Sequence, residues 1–117
     1  MTGKGSFRPK VKVQLVAKEA FFGPGPKTLM LRIRENGSVL QACEKMGISY
    51  SKGRSIIRTM EKELGFELVN RVHGGRDGGK ATLTEEGETF LKAYLDYENR
   101  IVKYAEEVFD ESFGIKK

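Results

Sequence analysis

Two short amphipathic helices, from Ser38 to Met46 and from Ser49 to Leu64, follow one another with only Gly47 and Ile48 between them. A glycine-centred link of that length sets two short helices at a steep angle, and the rest of the chain must pack around the corner they make. Both helices carry their own boundary signals. Ser38 with Gln41 three residues on forms a capping box, and Gly47 closes the first helix. Ser49 is placed as the N-cap of the second, and Gly65 ends it. Val39, Ala42, Cys43 and Met46 make one inner face. Gly53, Ile57, Met60 and Leu64 repeat along one side of the second helix and make the other.

The outer face of helix 49–64 is the most informative surface in the chain. With Gly53, Ile57, Met60 and Leu64 turned inward, Tyr50, Ser51, Arg54, Ser55 and Arg58 point outward, with Lys52 at the edge. That face offers cations, hydroxyls and a phenol over three turns and no carboxylate; Glu61 and Glu63 enter only near the C-terminal end. A helix of this kind fits a DNA major groove about 12 Å wide. An arginine there can hold guanine O6 and N7 together, worth about 1–3 kcal/mol of discrimination. Any surface helix is polar outside; the absence of acids is what favours a groove.

The flanking segments complete an organisation. Residues 1–9 read as a loose basic arm. Residues 10–17 alternate, with Val11, Val13, Leu15 and Ala17 on one side, and so read as a half-buried strand. Ala20-Phe21-Phe22 is a short return strand, and Gly23-Pro24-Gly25-Pro26 is expected to end regular structure. Lys27 to Glu35 is a helix. Strands around Leu68–Val72 and Ala81–Leu83 flank the glycine-rich loop Gly74 to Gly79, and Thr84 caps a last helix running to about Asp110. The fold class expected is mostly α with small β hairpins: a winged helix-turn-helix with a long C-terminal dimerisation helix. Three parts follow, an arm at 1–9, a DNA-binding domain at 10–83 and a dimerisation helix at 84–117.

Charge is divided along the same line. Residues 1–83 hold 16 Lys and Arg against 7 Asp and Glu, whereas residues 84–117 hold 5 against 9. A basic face on a small domain draws polyanions. No apolar run approaches the roughly 20 residues of a membrane span, and a single cysteine, Cys43, fits a reducing cytoplasm. Catalysis finds no support, since His73 is the only histidine and Cys43 falls on an inner helix face as a small core residue. No metal or cofactor is expected. Gly74 to Lys80 mimics a phosphate loop, but Ala81 stands where Ser or Thr is needed and a strand, not a helix, follows. The loop reads better as a wing, with Arg71, His73, Arg76 and Lys80 on or beside it to meet phosphates or a minor groove.

The last helix carries two apolar rows. Gly87, Phe90, Tyr94, Tyr97, Ile101, Tyr104 and Val108 form one; Leu91, Leu95, Val102, Ala105 and Phe109 form the other, interrupted by Glu98. At about 40 Å the helix is too long for the small domain to cover both. The surplus is expected to pair with a second copy through Tyr94, Tyr97, Ile101, Tyr104 and Val108, about a twofold axis. Two recognition helices would then stand about 34 Å apart.

Gly37-Ser38, Gly47-Ile48-Ser49-Tyr50, Glu63-Leu64-Gly65, the double-glycine wing and Leu83-Thr84-x-x-Gly87 occur together within residues 37–91. That stretch resembles the N-terminal DNA-binding domain of ModE-type molybdate-responsive regulators, and more distantly the LysR-type domain. The resemblance implies a dimeric transcription regulator acting on double-stranded DNA. It implies Ser49, Tyr50, Ser51, Lys52, Arg54, Ser55 and Arg58 in or near the groove, and Arg71, Arg76 and Lys80 on the wing. It extends more weakly over residues 11–110 and includes no molybdate-binding domain, so no molybdate site is expected in this chain. Gly53 departs from the family's usual Ala or larger apolar residue, at a cost of up to about 1 kcal/mol in helix propensity. The competing reading is a protein-interaction adaptor that keeps the fold without binding DNA.

Overall fold

The computed structural model describes residues 7–72 and 80–114, with the side chains of Arg71 and Val72 outside that description. The element order is β1 (Leu15–Val16), β2 (Ala20–Phe22), α1 (Pro24–Asn36), α2 (Val39–Met46), α3 (Tyr50–Leu64), β3 (Val69–Val72), β4 (Lys80–Leu83) and α4 (Glu85–Ser112). It is a mostly helical winged helix-turn-helix with two antiparallel hairpins, β1–β2 and β3–β4.

Ser38 and Ser49 both act as N-caps through their hydroxyls. The Ser38 hydroxyl accepts from the Gln41 amide at 3.1 Å, and the Ser49 hydroxyl from the Lys52 amide at 3.0 Å. Gly47 and Gly65 end their helices at φ 71° and 83°, where a side chain would be strained. The core gathers Phe22, Leu29, Met30, Ile33, Cys43, Ile57, Met60, Leu68 and Leu91, all fully buried. Phe22 is wedged edge-on between Phe90 and Tyr94, with ring centroids 4.8 and 4.7 Å away.

Three expectations need correction. Gly23-Pro24-Gly25-Pro26 does not break structure; it opens α1. The first turn of a helix leaves its amides without intrahelical partners, so prolines there cost no hydrogen bond. The first turn closes with the Lys27 amide on the Gly23 carbonyl at 2.9 Å. The strand expected over 10–17 shrinks to Leu15–Val16, because its partner is only three residues long. The Val13 carbonyl finds the Tyr94 hydroxyl, at 2.6 Å, instead of a ladder amide. Tyr94 itself, expected in the dimer row, is only 3% exposed and belongs to its own chain's core.

The first turns of α4 pack inward through Gly87, Leu91 and Tyr94, and its later turns leave the core. The longest dimension of the molecule is 60 Å, against 27 and 23 Å across. Ion pairs hold α4 antiparallel to α1. Lys27 Nζ bonds both Glu98 oxygens at 2.8 and 3.0 Å, and Arg34 meets Glu88 at 3.2 Å. Lys27 and Glu98 are both largely shielded, which explains the carboxylate interrupting the second apolar row.

Of the arm expected at 1–9, residues 1–6 lie outside the described residues, but Phe7 sits against Phe109 and Phe113 with centroids 5.5 Å from each. Val13 is fixed at Tyr94. The fifteen steps from Tyr94 to Phe109 rise about 22 Å, and six steps of fully extended chain reach roughly 20 Å. Residues 7–13 therefore run as an extended strap along the outer half of α4.

Gly53 has a packing reason. A Cβ placed there would fall on the Cys43 sulfur, so the thiol occupies the room that an alanine methyl would take. Gly53→Ala is expected to lower stability by about 1–3 kcal/mol from overpacking, despite its better helix propensity. In the double variant Cys43→Ala/Gly53→Ala most of that loss should return. Urea denaturation of the four proteins in the cycle checks this, and additive effects would show that sulfur and methyl do not compete.

Burial raises the Cys43 thiol above its ordinary pKa, and burial, then the nearby Glu98 carboxylate, raises the Tyr94 phenol. Both groups must be neutral in the fold, while the unfolded chain ionises them at their ordinary values. Their contribution is thus whole at neutral pH and is lost as pH climbs past about 8.5, first for the thiol and then for the phenol. Denaturation midpoints should fall from pH 8.5 to 10.5, and less steeply in Tyr94→Phe.

Candidate nucleic-acid interface

Helix α3 is held from inside by Gly53, Ile57 and Met60, all buried, with Leu64 half-buried at its end. Its 3.6-residue period then fixes the opposite face. Ser51, Lys52, Arg54, Ser55 and Arg58 are all exposed there, and Tyr50 is half-buried at the first turn. The Arg54 guanidinium lies 5.8 Å from the Tyr50 ring centroid. Such a contact is worth about 0.5–1 kcal/mol at an exposed site and steadies the guanidinium without consuming its hydrogen-bond donors. Ser49 is exposed too; its oxygen accepts the Lys52 amide, which leaves its O–H to donate outward.

The carboxylates of this helix do not share that surface over the first three turns. Glu61 turns away from solvent and accepts the Leu68 amide at 2.8 Å and the Val69 amide at 3.4 Å. It thereby bolts the end of α3 to the entry of β3. The sequence shows Glu61 only as a carboxylate near the C-terminal end of the helix; its partners stand seven and eight residues on, past Gly65, where no local spacing points to them.

The wing strands pair in register, Val69 with Leu83, Asn70 with Thr82, Arg71 with Ala81 and Val72 with Lys80. Alternation buries Ala81 and Leu83 and leaves Lys80 and Thr82 exposed. The hairpin base is fixed on its other edge as well, since the Ala81 amide bonds the Gly37 carbonyl at 2.9 Å, just before α2. The backbone of Arg71 and Lys80 thus lies on a hairpin whose base is tied to both helices of the pair. His73 and Arg76, with the loop Gly74 to Gly79, lie outside the described residues.

A family model described as bacterial regulatory helix-turn-helix protein, lysR family, matches residues 28–88, more than half of the chain. The chain belongs to the lysR family. The α2–α3 helix pair falls within the matched stretch, whereas the strap and the β1–β2 hairpin precede it. Among similar proteins, the DNA-binding transcriptional dual regulator ModE of Escherichia coli (strain K12) is 32% identical over 77 residues, 66% of this chain. The chain spans 29% of that relative's length. The CbnR_DBD–DNA complex shares the fold with a TM-score of 0.55 at 22% identity, covering 77% of this chain and 93% of that one. The BenM_DBD/benA site 1 DNA complex does so with a TM-score of 0.56 at 19% identity, covering 75% and 93%.

The Glu61 bolt makes a contrast with its neighbour. Glu61→Ala leaves two partly buried amides without their acceptor and should cost about 1–3 kcal/mol. Glu63→Ala, on the exposed side of the same turn, should stay within about 0.5 kcal/mol of the parent. Equal melting temperatures for the two variants would show that Glu61 does not hold the wing.

Proposed function

We propose that the chain is a lysR-family transcriptional regulator that binds duplex DNA as a homodimer, α3 entering the major groove and the β3–β4 wing meeting the backbone or the adjacent minor groove. The observation that carries this reading is the exposed first three turns of α3, which present Lys52, Arg54 and Arg58 with Ser51 and Ser55 and no carboxylate. The names of the E. coli relative and of the two solved complexes, each of which mentions DNA, support it.

In this mechanism the phosphates supply most of the attraction, and cations near them exchange for condensed counterions. Arg54, steadied on Tyr50, and Arg58, one turn further on, read base edges. Ser49, Ser51, Lys52 and Ser55 position α3 against sugar and phosphate. Arg71, Arg76 and Lys80 hold the wing on the backbone.

The dimer forms along α4. Tyr97, Ile101 and Tyr104 are 53%, 36% and 66% exposed. They continue the row of Tyr94 beyond the core, with Val108 half-buried at its end. Leu15, Phe90 and Ala93 extend the patch around an apolar hollow of about 250 Å³ at the root of the helix. A self-complementary patch of this kind suits a twofold pair. The acidic excess of α4 keeps this helix away from phosphates.

Fragments selected from a random-sequence duplex pool, followed by gel-shift titration, test the reading. Arg54→Ala should lose about 1–3 kcal/mol of preference for the selected site. Lys80→Ala should weaken selected and random duplexes alike. Ile101→Glu should halve the mass seen by light scattering, from twice 13.1 kDa, without unfolding the chain. Absence of any shift at low salt would identify an adaptor instead.

A further inference from the structure

Beside α3, on the flank formed by the N-terminal hairpin, lies an open groove of about 470 Å³. One wall is α3 itself, through Lys52, Ser55 and Thr59, spaced three and four residues apart so that they share a helix face. The other wall is the segment leading into β1, through Lys12 and Gln14, which stand on the same side of an extended chain. All five side chains are exposed. Glu19, near the hairpin turn, is the one carboxylate among the lining residues, so two lysines outweigh it. The hairpin is pinned to α4, because Phe22 is locked between Phe90 and Tyr94 and the Val13 carbonyl is bonded to Tyr94.

We propose that this groove, which none of the described wing residues lines, seats sugar-phosphate backbone along the N-terminal hairpin flank of α3, with Lys12 pairing a phosphate that α3 alone does not reach. The inference rests on α3 being the recognition helix. It adds a second clamp from residues outside the 28–88 match. An α-helix lying in a major groove has a phosphate strand along each flank, and the wing accounts for one of them. Gln14, Ser55 and Thr59 supply neutral donors whose hydrogen bonds suit phosphate oxygens whatever the sequence. Lys12 therefore adds affinity and register, not base preference, and Glu19 opposes it.

The test measures binding of the full chain to the duplex selected by the parent protein, over a series of salt concentrations. Lys12→Ala should bind several-fold more weakly and lower the slope of log affinity against log salt by about 0.9, the value of one phosphate. Glu19→Gln should bind more tightly. Lys92→Ala, which removes an exposed charge from α4, should match the parent. Neutralising single phosphates as methylphosphonates should reveal one position that weakens the parent but not Lys12→Ala. If Lys12→Ala behaves like Lys92→Ala while Arg54→Ala still weakens binding, the clamp is overturned and the recognition helix stands. If Arg54→Ala and Arg58→Ala also bind as the parent does, the reading of α3 falls with it.

Discussion

The backbone of Glu67, Leu68 and Val69 is where the architecture is joined. From one side Glu61, at the end of α3, takes the Leu68 and Val69 amides. From the other, Thr84 gives its amide to the Leu68 carbonyl at 2.9 Å and its hydroxyl to the Glu67 carbonyl at 2.6 Å. The same Thr84 oxygen accepts the Gly87 amide at 2.8 Å and so starts α4. Gly87 has no side chain because a Cβ there would lie 2.5 Å from the Leu68 carbonyl oxygen, a backbone atom with nowhere to go. Three residues of chain thus fix α3, the wing and the long helix relative to one another. The DNA-binding mode proposed above needs a rigid relation among those three parts.

Much of this was legible in the sequence, because the signals involved are local. N-caps, C-terminal glycines and the spacing of Gly53, Ile57, Met60 and Leu64 depend on neighbours within a turn or two, and each is found where read. The exposed cationic face of α3 followed from that spacing and needed nothing else. What escaped was decided by distant partners. Pro24 and Pro26 look like breakers until α1 is known to begin at them. The alternation of Val11, Val13 and Leu15 promises a strand, yet Val11 is exposed and a strand needs a partner of matching length. Tyr94 looked like part of an exterior row until Val13 claimed its hydroxyl from 81 residues away.

Gly53 shows how a residue that costs something locally is retained for a distant reason. Helix propensity alone argues for alanine at that position by about 1 kcal/mol. Helix α3 nonetheless must cross α2 closely enough for the two inner faces to interlock, and Cys43 stands at the crossing, fully buried. A sulfur on α2 and a methyl on α3 are alternatives for one small volume. The glycine reads as a departure from the family only when α3 is considered alone; paired with Cys43 it conserves packing.

The same logic bears on which side chains of α4 stay exposed. A solitary 28-residue helix with two apolar rows offers no preference between them. The strap is anchored at Tyr94, on the first row, and at the ring cluster of Phe7, Phe109 and Phe113, at the end of the second. Val102, Ala105 and Phe109 are half-buried, while Tyr97, Ile101 and Tyr104 stay exposed. An N-terminal segment fixed to both rows thus passes from one to the other along α4, and the apolar side chains that stay exposed between its anchors are Tyr97, Ile101 and Tyr104 of the first row.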